Sequence, residues 1–435
     1  MLCFTNYTLN EMENAILLHN KHWQKTPYDI PIQRDLLKKL LRYNTAKEIQ
    51  IISGIRRSGK SSLLKLYINE LIKTVNPLSI LFVNFDDPNF SGVYQQPQNI
   101  YNIVEIAERL TQTKINYLLF DEIQMVDGWE KYVKSIYDAD AYKKICITGS
   151  NAKLLNSNYS KLLSGRYITH QIYPLSLNEI FTHYNLDNKL AVLQNKPDVF
   201  NMLDHVMKYG SFPEIINKSD QQLKHEIATN YFDSILVKDC IVNKNIRDSK
   251  SFKELSFYLF TNISSLYSYN SISKATGIND ISVKEYINTM SDSFLIYEIA
   301  QFSYKVRQQI KSKRKMYCID NGLISAVSLN FSENKGKLFE NLVFSEIIKS
   351  GCKEIFFYNE NKECDFLIKK KNKLIAIQVC YEINKTNKER EILGLEEVMK
   401  TFSIDKSFII TFLQSEKVNK NISVIPIYEM SNIFE

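Results

Sequence analysis

The apolar run EIQIIS (48–53) leads directly into Gly54-Ile55-Arg56-Arg57-Ser58-Gly59-Lys60-Ser61, and the helical pattern SSLLKLYINELI (61–72) follows. The octapeptide fits GxxxxGK[ST]. A strand, a glycine-rich turn and a helix in that order admit few folds other than a phosphate-binding α/β sheet. Successive loop amides and the positive end of a helix attract phosphate oxygens. On this reading Gly54, Ile55, Arg56, Arg57, Ser58, Gly59 and Ser62 line a bound nucleotide. Lys60 reaches the β and γ phosphates, and the Ser61 hydroxyl ligates Mg2+. The implied cofactors are ATP and Mg2+.

Three more short apolar runs, SILFVNF (79–85), YLLFDE (117–122) and KICITGS (144–150), alternate with helix-like stretches. That alternation predicts a parallel sheet built from βαβ units. The run ending in Asp121-Glu122 lies about sixty residues after Lys60. A strand closing on two carboxylates suits Walker B chemistry, with Asp121 supporting magnesium and Glu122 polarising the attacking water. The strand ending in Thr148-Gly149-Ser150-Asn151 offers Ser150 and Asn151 as sensors of the γ-phosphate. Asn151 is equally suited to capping a helix. Arg166, in Ser164-Gly165-Arg166, is a candidate arginine finger in cis or in trans, or else a solvated surface arginine.

At 435 residues the chain is long for one domain. It is 44% hydrophobic and 24% charged, with 26 Tyr, 24 Phe and only 12 Gly, so ordinary folded domains are expected and collagen-like or disordered character is excluded. The net charge of +7 is compatible with nucleic acid without requiring it. The seven cysteines show no CxxC spacing, which argues against a zinc knuckle or a disulfide framework and for reduced cysteine in the cytoplasm. All six histidines precede residue 226, which excludes a histidine metal site in the C-terminal part. The N-terminus carries Glu11 and Glu13 and has no apolar signal core, and the longest apolar runs, such as Ser407–Leu413, are strand-sized. No membrane span is expected.

After Pro174 the patterning turns helical to about residue 262. In SISKATGINDISVKEYINTM (271–290), two short helices join at Gly277 and Asn279, with Ile272, Ala275, Ile278, Val283, Ile287 and Met290 facing inward. This is a helix-turn-helix layout in which Ser282–Met290 would be the recognition helix. A basic cluster follows, comprising Lys305, Arg307, Lys311, Lys313, Arg314 and Lys315. It suits phosphate contacts from a wing to double-stranded DNA, or a solvated hairpin on a module that docks a protein partner.

The chain resembles a family of archaeal and bacterial AAA-like ATPases related to signal-transducing NTPases. The resemblance is carried by GIRRSGKSSLL, FVNFDD, DEIQ, TGSN, a GR followed by YPLSLNEI, and then YGSFPEII (209–216), YFDSILVKDCI (231–241) and YCIDNGL (317–323). It implies an α/β multidomain protein: an N-terminal extension (1–30), a P-loop AAA-like ATPase domain (31–180), a helical lid or linker (181–262), a winged helix (263–328) and a restriction-endonuclease-like α/β domain (329–435). In that last domain the resemblance puts Glu340 on a helix and Asp365 on a strand where PD-(D/E)xK nucleases hold magnesium. Gln378 stands at the second carboxylate position and Cys380 at the lysine position. An amide ligates magnesium more weakly than a carboxylate, and a thiol cannot supply a lysine's charge, so the pattern is that of a degenerate nuclease. The resulting expectation is an ATP-operated switch. An ATP-regulated metal-dependent DNA nuclease is the alternative, and a small-molecule kinase suits the acidic pair less well.

Overall fold

The computed structural model describes residues 2–150, 162–328, 335–370 and 373–434, with side chains from Glu11 onward and excepting Ser150. The chain forms two compact units, Met1–Tyr173 and Pro174–Glu435.

The first unit is built on a five-stranded sheet in the order β2-β3-β4-β1-β5. The strands are β1 (Ile49–Gly54), β2 (Ile80–Asn84), β3 (Tyr117–Asp121), β4 (Lys144–Ser150) and β5 (Tyr167–Gln171). Every pairing is parallel, bearing out the α/β expectation. Parallel strands are covered on both faces, so they read as continuous apolar runs, and all six residues of β1 are buried. Helices α2 (Leu36–Arg42) and α3 (Lys60–Leu71) pack on one face. Helices α4 (Ile100–Thr111) and α5 (Trp129–Asp138) pack on the other. In α5 the buried residues Trp129, Tyr132, Val133 and Ile136 recur at helical spacing, which is what turns the helix toward the sheet.

The first thirty residues, which sequence left without structure, form part of this unit. Helix α1 (Leu2–His19) buries Ala15 and Ile16 in the sheet's core. The turn after it closes the outer edge of β2. The Phe82 N–H donates to Asn20 Oδ1 (2.7 Å), and Asn20 Nδ2 donates back to the Phe82 carbonyl (2.9 Å). Trp23 Nε1 donates to the Ile80 carbonyl (2.8 Å). A side-chain amide thus does for this edge what a neighbouring strand would do.

The second unit begins with helices, including Leu177–His183, Lys196–Tyr209 and Gln221–Ser234. Gly210 (φ 79°) follows the second of these, and a Cβ there would meet Asp320 Oδ1 at 1.7 Å. The Asp320 carboxylate accepts from the Ser211 amide (2.7 Å) and the Gly322 amide (2.9 Å). This junction accounts for the YGS and DNG segments, which lie a hundred residues apart in sequence.

Helices Ser249–Thr261, Tyr269–Thr276 and Asp280–Asp292 accompany an antiparallel sheet in the order β6-β8-β7. Its strands are β6 (Leu266–Tyr267), β7 (Ile296–Ala300) and β8 (Arg314–Cys318). Gly277 (φ 74°) ends one helix and Asn279 caps the next through Ser282 N–H (2.9 Å). Ile272, Val283, Ile287 and Met290 are buried as expected. Ala275 is exposed and Ile278 only half-buried, because they flank the turn. A six-stranded sheet completes the unit in the order β13-β14-β12-β11-β10-β9. These strands are β9 (Glu354–Asn359), β10 (Glu363–Lys370), β11 (Lys373–Val379), β12 (Ser407–Thr411), β13 (Glu416–Lys417) and β14 (Ile422–Pro426). Among the described residues no helix is long and apolar enough to cross a membrane.

Candidate nucleotide-binding site

β1 ends at Gly54, where a Cβ would meet the Ile172 carbonyl oxygen at 2.0 Å, so only glycine fits. The loop then turns through Arg57 (φ 68°) and Gly59 (φ 95°) into α3. Arg56 is half-buried and Arg57 exposed, while the Ser58 side chain is buried. Arg34 braces the loop from outside the motif: its guanidinium donates to the carbonyls of Ser58 and Tyr173, both at 2.7 Å. Sequence reading missed Arg34, which stands between Gln33 and Asp35 just before α2 and carries no local signal of burial.

Lys60 Nζ donates to the Gly54 carbonyl (3.2 Å) and lies 3.7 Å from Glu122 Oε1. Ser61 and Ser62 sit on the first turn of α3, both half-buried. Asp121, at the end of β3, is fully buried. Burial pushes its carboxyl above the usual range and Glu122's charge adds to this, against the Ser61 and Thr148 hydroxyls and the Lys60 ammonium. The Thr148 hydroxyl donates to Asp121 Oδ1 and accepts from the Glu122 N–H (3.1 Å). Asp121 Oδ2 is buried without a hydrogen-bond partner among the described residues. A buried carboxylate oxygen left open beside a serine hydroxyl suits a hard divalent cation, so these residues fit magnesium.

Glu122 stands in the left-handed region (φ 51°), an uncommon conformation for a non-glycine residue and one that costs about 1 kcal/mol. Gln124 Nε2 donates to its carboxylate. Thr148 was the residue missed here: sequence reading favoured its neighbours Ser150 and Asn151. Ser150 pairs with Gly54 in the sheet register, which puts its backbone at the loop. Asn151 lies outside the described residues. Ser61 and Asp121 also line a cleft whose other walls include His19, Tyr28, Lys65 and Asn84. The N-terminal extension therefore reaches the site.

Arg166 is not brought to this site. It precedes β5 and accepts from the Ile49 N–H, at the start of β1, whereas the loop follows the end of β1. Its guanidinium donates to Asp138 Oδ1 (2.8 Å). The parallel register sets Arg166 at the opposite end of the sheet, so a role in cis is corrected.

In the second unit Glu340, Asp365 and Gln378 do come together. Their centre is a residue that sequence reading had placed in the basic cluster: Lys315 is buried, while Lys305, Arg307, Lys311 and Lys313 are exposed and Arg314 is half-buried. Gln378 Nε2 donates to Glu391 Oε2 (2.7 Å), and its Oε1 accepts from the Asp365 N–H (3.2 Å). Burial pushes the Cys380 thiol up to about 11, so it is neutral. Among the described residues no cluster of three or more His, Cys, Asp or Glu is arranged to hold a metal ion.

Residues 46–181 match the family model of an AAA domain. Residues 201–335 and 335–430 match two domains of unknown function, DUF8612 and DUF4143. The chain is 36% identical over 385 residues to uncharacterized protein MJ1544 of Methanocaldococcus jannaschii, covering 86% of this chain and 83% of the relative. It is 30% identical over 370 residues to an uncharacterized protein of Haemophilus influenzae, covering 83% and 89%. Among solved structures, the Aeropyrum pernix ORC1 protein in complex with DNA aligns with 69% of this chain and 93% of its own, at 12% identity and a TM-score of 0.32. That likeness is too slight to carry an argument.

Proposed function

The chain belongs to a family of archaeal and bacterial AAA-like P-loop ATPases, and on that premise we propose that its first unit binds ATP with magnesium and hydrolyses it to operate a switch. The observation that carries this reading is the convergence of Lys60, Ser61, Asp121, Glu122 and Thr148 at one end of a parallel sheet. The loop amides and Lys60 bind the phosphates. Ser61 and Asp121 hold magnesium, which would draw charge from the phosphates. Lys60 exchanges its contact with Glu122 for phosphate oxygens, which frees the carboxylate to orient water. The strained backbone at Glu122 and the hydrogen bond from its N–H to Thr148 fix where that carboxylate can point.

The output of the switch belongs to Pro174–Glu435. Three helices and a three-stranded antiparallel sheet, with β6 between the first two helices and β7 and β8 after the third, support a winged-helix reading, and the exposed Lys305, Arg307, Lys311 and Lys313 support contact with double-stranded DNA. Free cysteines without disulfides among the described residues, all buried but the half-buried Cys380, suit a cytoplasmic protein. Arg166 retains a proposed role only in trans, toward the nucleotide of another copy. The alternative, a metal-dependent DNA nuclease, has the juxtaposed Glu340 and Asp365 in its favour and Gln378 and Cys380 against it.

Magnesium-dependent ATP turnover by the purified protein, with and without double-stranded DNA and alongside Lys60→Ala, tests the proposal. Turnover lost in the variant supports the site, and stimulation by DNA supports the partner. Undiminished ATP affinity in Lys60→Ala would remove the assignment.

A further inference from the structure

Lys315 lies on β8, in the middle of the three-stranded sheet, and only 3% of its side chain is exposed. Its ammonium is 2.9 Å from Glu363 Oε1, 3.1 Å from Glu340 Oε1 and 3.3 Å from Asp365 Oδ1. Two of these carboxylates are the ones that the nuclease-like pattern reserves for a metal. Strand alternation puts Tyr317 on the same face, and its hydroxyl donates to Glu340 Oε1 (2.6 Å). The Val379 N–H donates to Asp365 Oδ2 (2.9 Å). Gln378, where the pattern asks for another carboxylate, is engaged by the Asp365 N–H and Glu391.

The carboxylates need a cation. Burial pushes Glu340 up to about 7 and the charge of Asp365 adds to this, against Lys315 and Tyr317. Burial alone would pull the Lys315 ammonium down, but Asp365, Glu340 and Glu363 outweigh it and hold its pKa above the ordinary lysine range. The spacings are those of N–H···O hydrogen bonds, longer than the ~2.1 Å that magnesium requires. Nor is Lys315 on a mobile arm. The Cys318 N–H donates to Asn341 Oδ1 (2.8 Å), Asn341 Nδ2 donates back to the Cys318 carbonyl (3.0 Å), and Tyr317 stacks on Phe344 with centroids 4.4 Å apart.

We propose that Lys315 is the resident cation of this carboxylate site, which fastens the three-stranded sheet to the six-stranded sheet instead of holding a metal for nucleic-acid cleavage. The ammonium supplies the charge that a divalent ion would supply, and it fills the same place. The inference does not rest on the ATPase reading.

Calorimetric titration of the full chain with Mn2+, wild type against Asp365→Asn, tests it directly, because any binding at the Asp121 site is common to both. The two titrations should coincide. A binding event present in the wild type and lost in Asp365→Asn would overturn the proposal. A second arm uses Lys315→Ala, which leaves the carboxylates without their cation. Mn2+ should raise the Tm of this variant by about 5 °C more than it raises that of Lys315→Ala/Asp365→Asn, in which only the Asp121 site is left to bind it. If Lys315→Ala folds and gains no more from Mn2+ than Lys315→Ala/Asp365→Asn does, the carboxylates do not form a cation place and the proposal falls. If it does not fold, the wild-type comparison decides alone.

Discussion

The Thr148 hydroxyl donates to Asp121 Oδ1 and so fixes, from the neighbouring strand, the carboxylate proposed to bear magnesium. The Thr148 hydroxyl oxygen also accepts from the Glu122 N–H, so one side chain positions both acidic residues. Thr148→Val keeps the shape of the side chain and removes both bonds, at a cost of about 1–3 kcal/mol for the buried groups left unpaired. We expect ATP turnover to fall roughly tenfold or more while nucleotide affinity without magnesium holds, with Thr148→Ser restoring most of the rate. Equal rates in Thr148→Val and wild type would reduce Thr148 to a packing residue.

Glu122→Gln keeps the volume of the side chain but removes the group proposed to accept a proton from water. Single-turnover kinetics should show hydrolysis slowed by about 10²–10⁴-fold, with ATP retained on the protein. Unchanged single-turnover rates would take Glu122 out of the chemistry.

Asn20 is 2% exposed, and its amide satisfies both backbone groups of Phe82 on the edge strand. Asn20→Ala leaves a buried N–H and C=O unpaired, so stability should drop by about 1–3 kcal/mol. Denaturant unfolding measures this. The variant should also aggregate more readily, since the exposed edge can pair with another chain. A midpoint unchanged from wild type would mean that the Asn20 amide is dispensable to the edge of the sheet.

His22 offers a pH test of the same seam. Burial pulls its pKa down to about 4, with the hydrogen bond to the Ile80 carbonyl only partly opposing. An unfolded histidine titrates near 6.5, so between about pH 6.5 and 4 the unfolded chain binds the extra proton. The stability due to keeping His22 neutral is therefore fully present above pH 6.5 and is lost progressively as pH falls toward 4. Unfolding midpoints at pH 7 and pH 5 should differ more for the wild type than for His22→Asn. Parallel pH profiles would place the histidine's titration elsewhere.

How much of this was legible beforehand follows from sequence distance. The loop from Gly54 to Ser61, the acidic pair at Asp121 and Glu122, and the alternation of apolar runs with helices are each contained in a few consecutive residues. Their chemistry follows from local geometry, a strand running into a turn and a helix, so sequence by itself determined the nucleotide-binding fold and the core of its site. It also determined that Cys380 could not serve as a nuclease lysine. Tertiary structure alone decided the rest, because the partners are remote along the chain: Asn20 with Phe82, Arg34 with Ser58, Thr148 with Asp121, and Lys315 with Glu340 and Asp365. A lysine in a run of basic residues has the same local pattern whether it faces water or three carboxylates. Only the packing of β8 against the C-terminal sheet buries that ammonium, and only burial makes the carboxylates necessary to it.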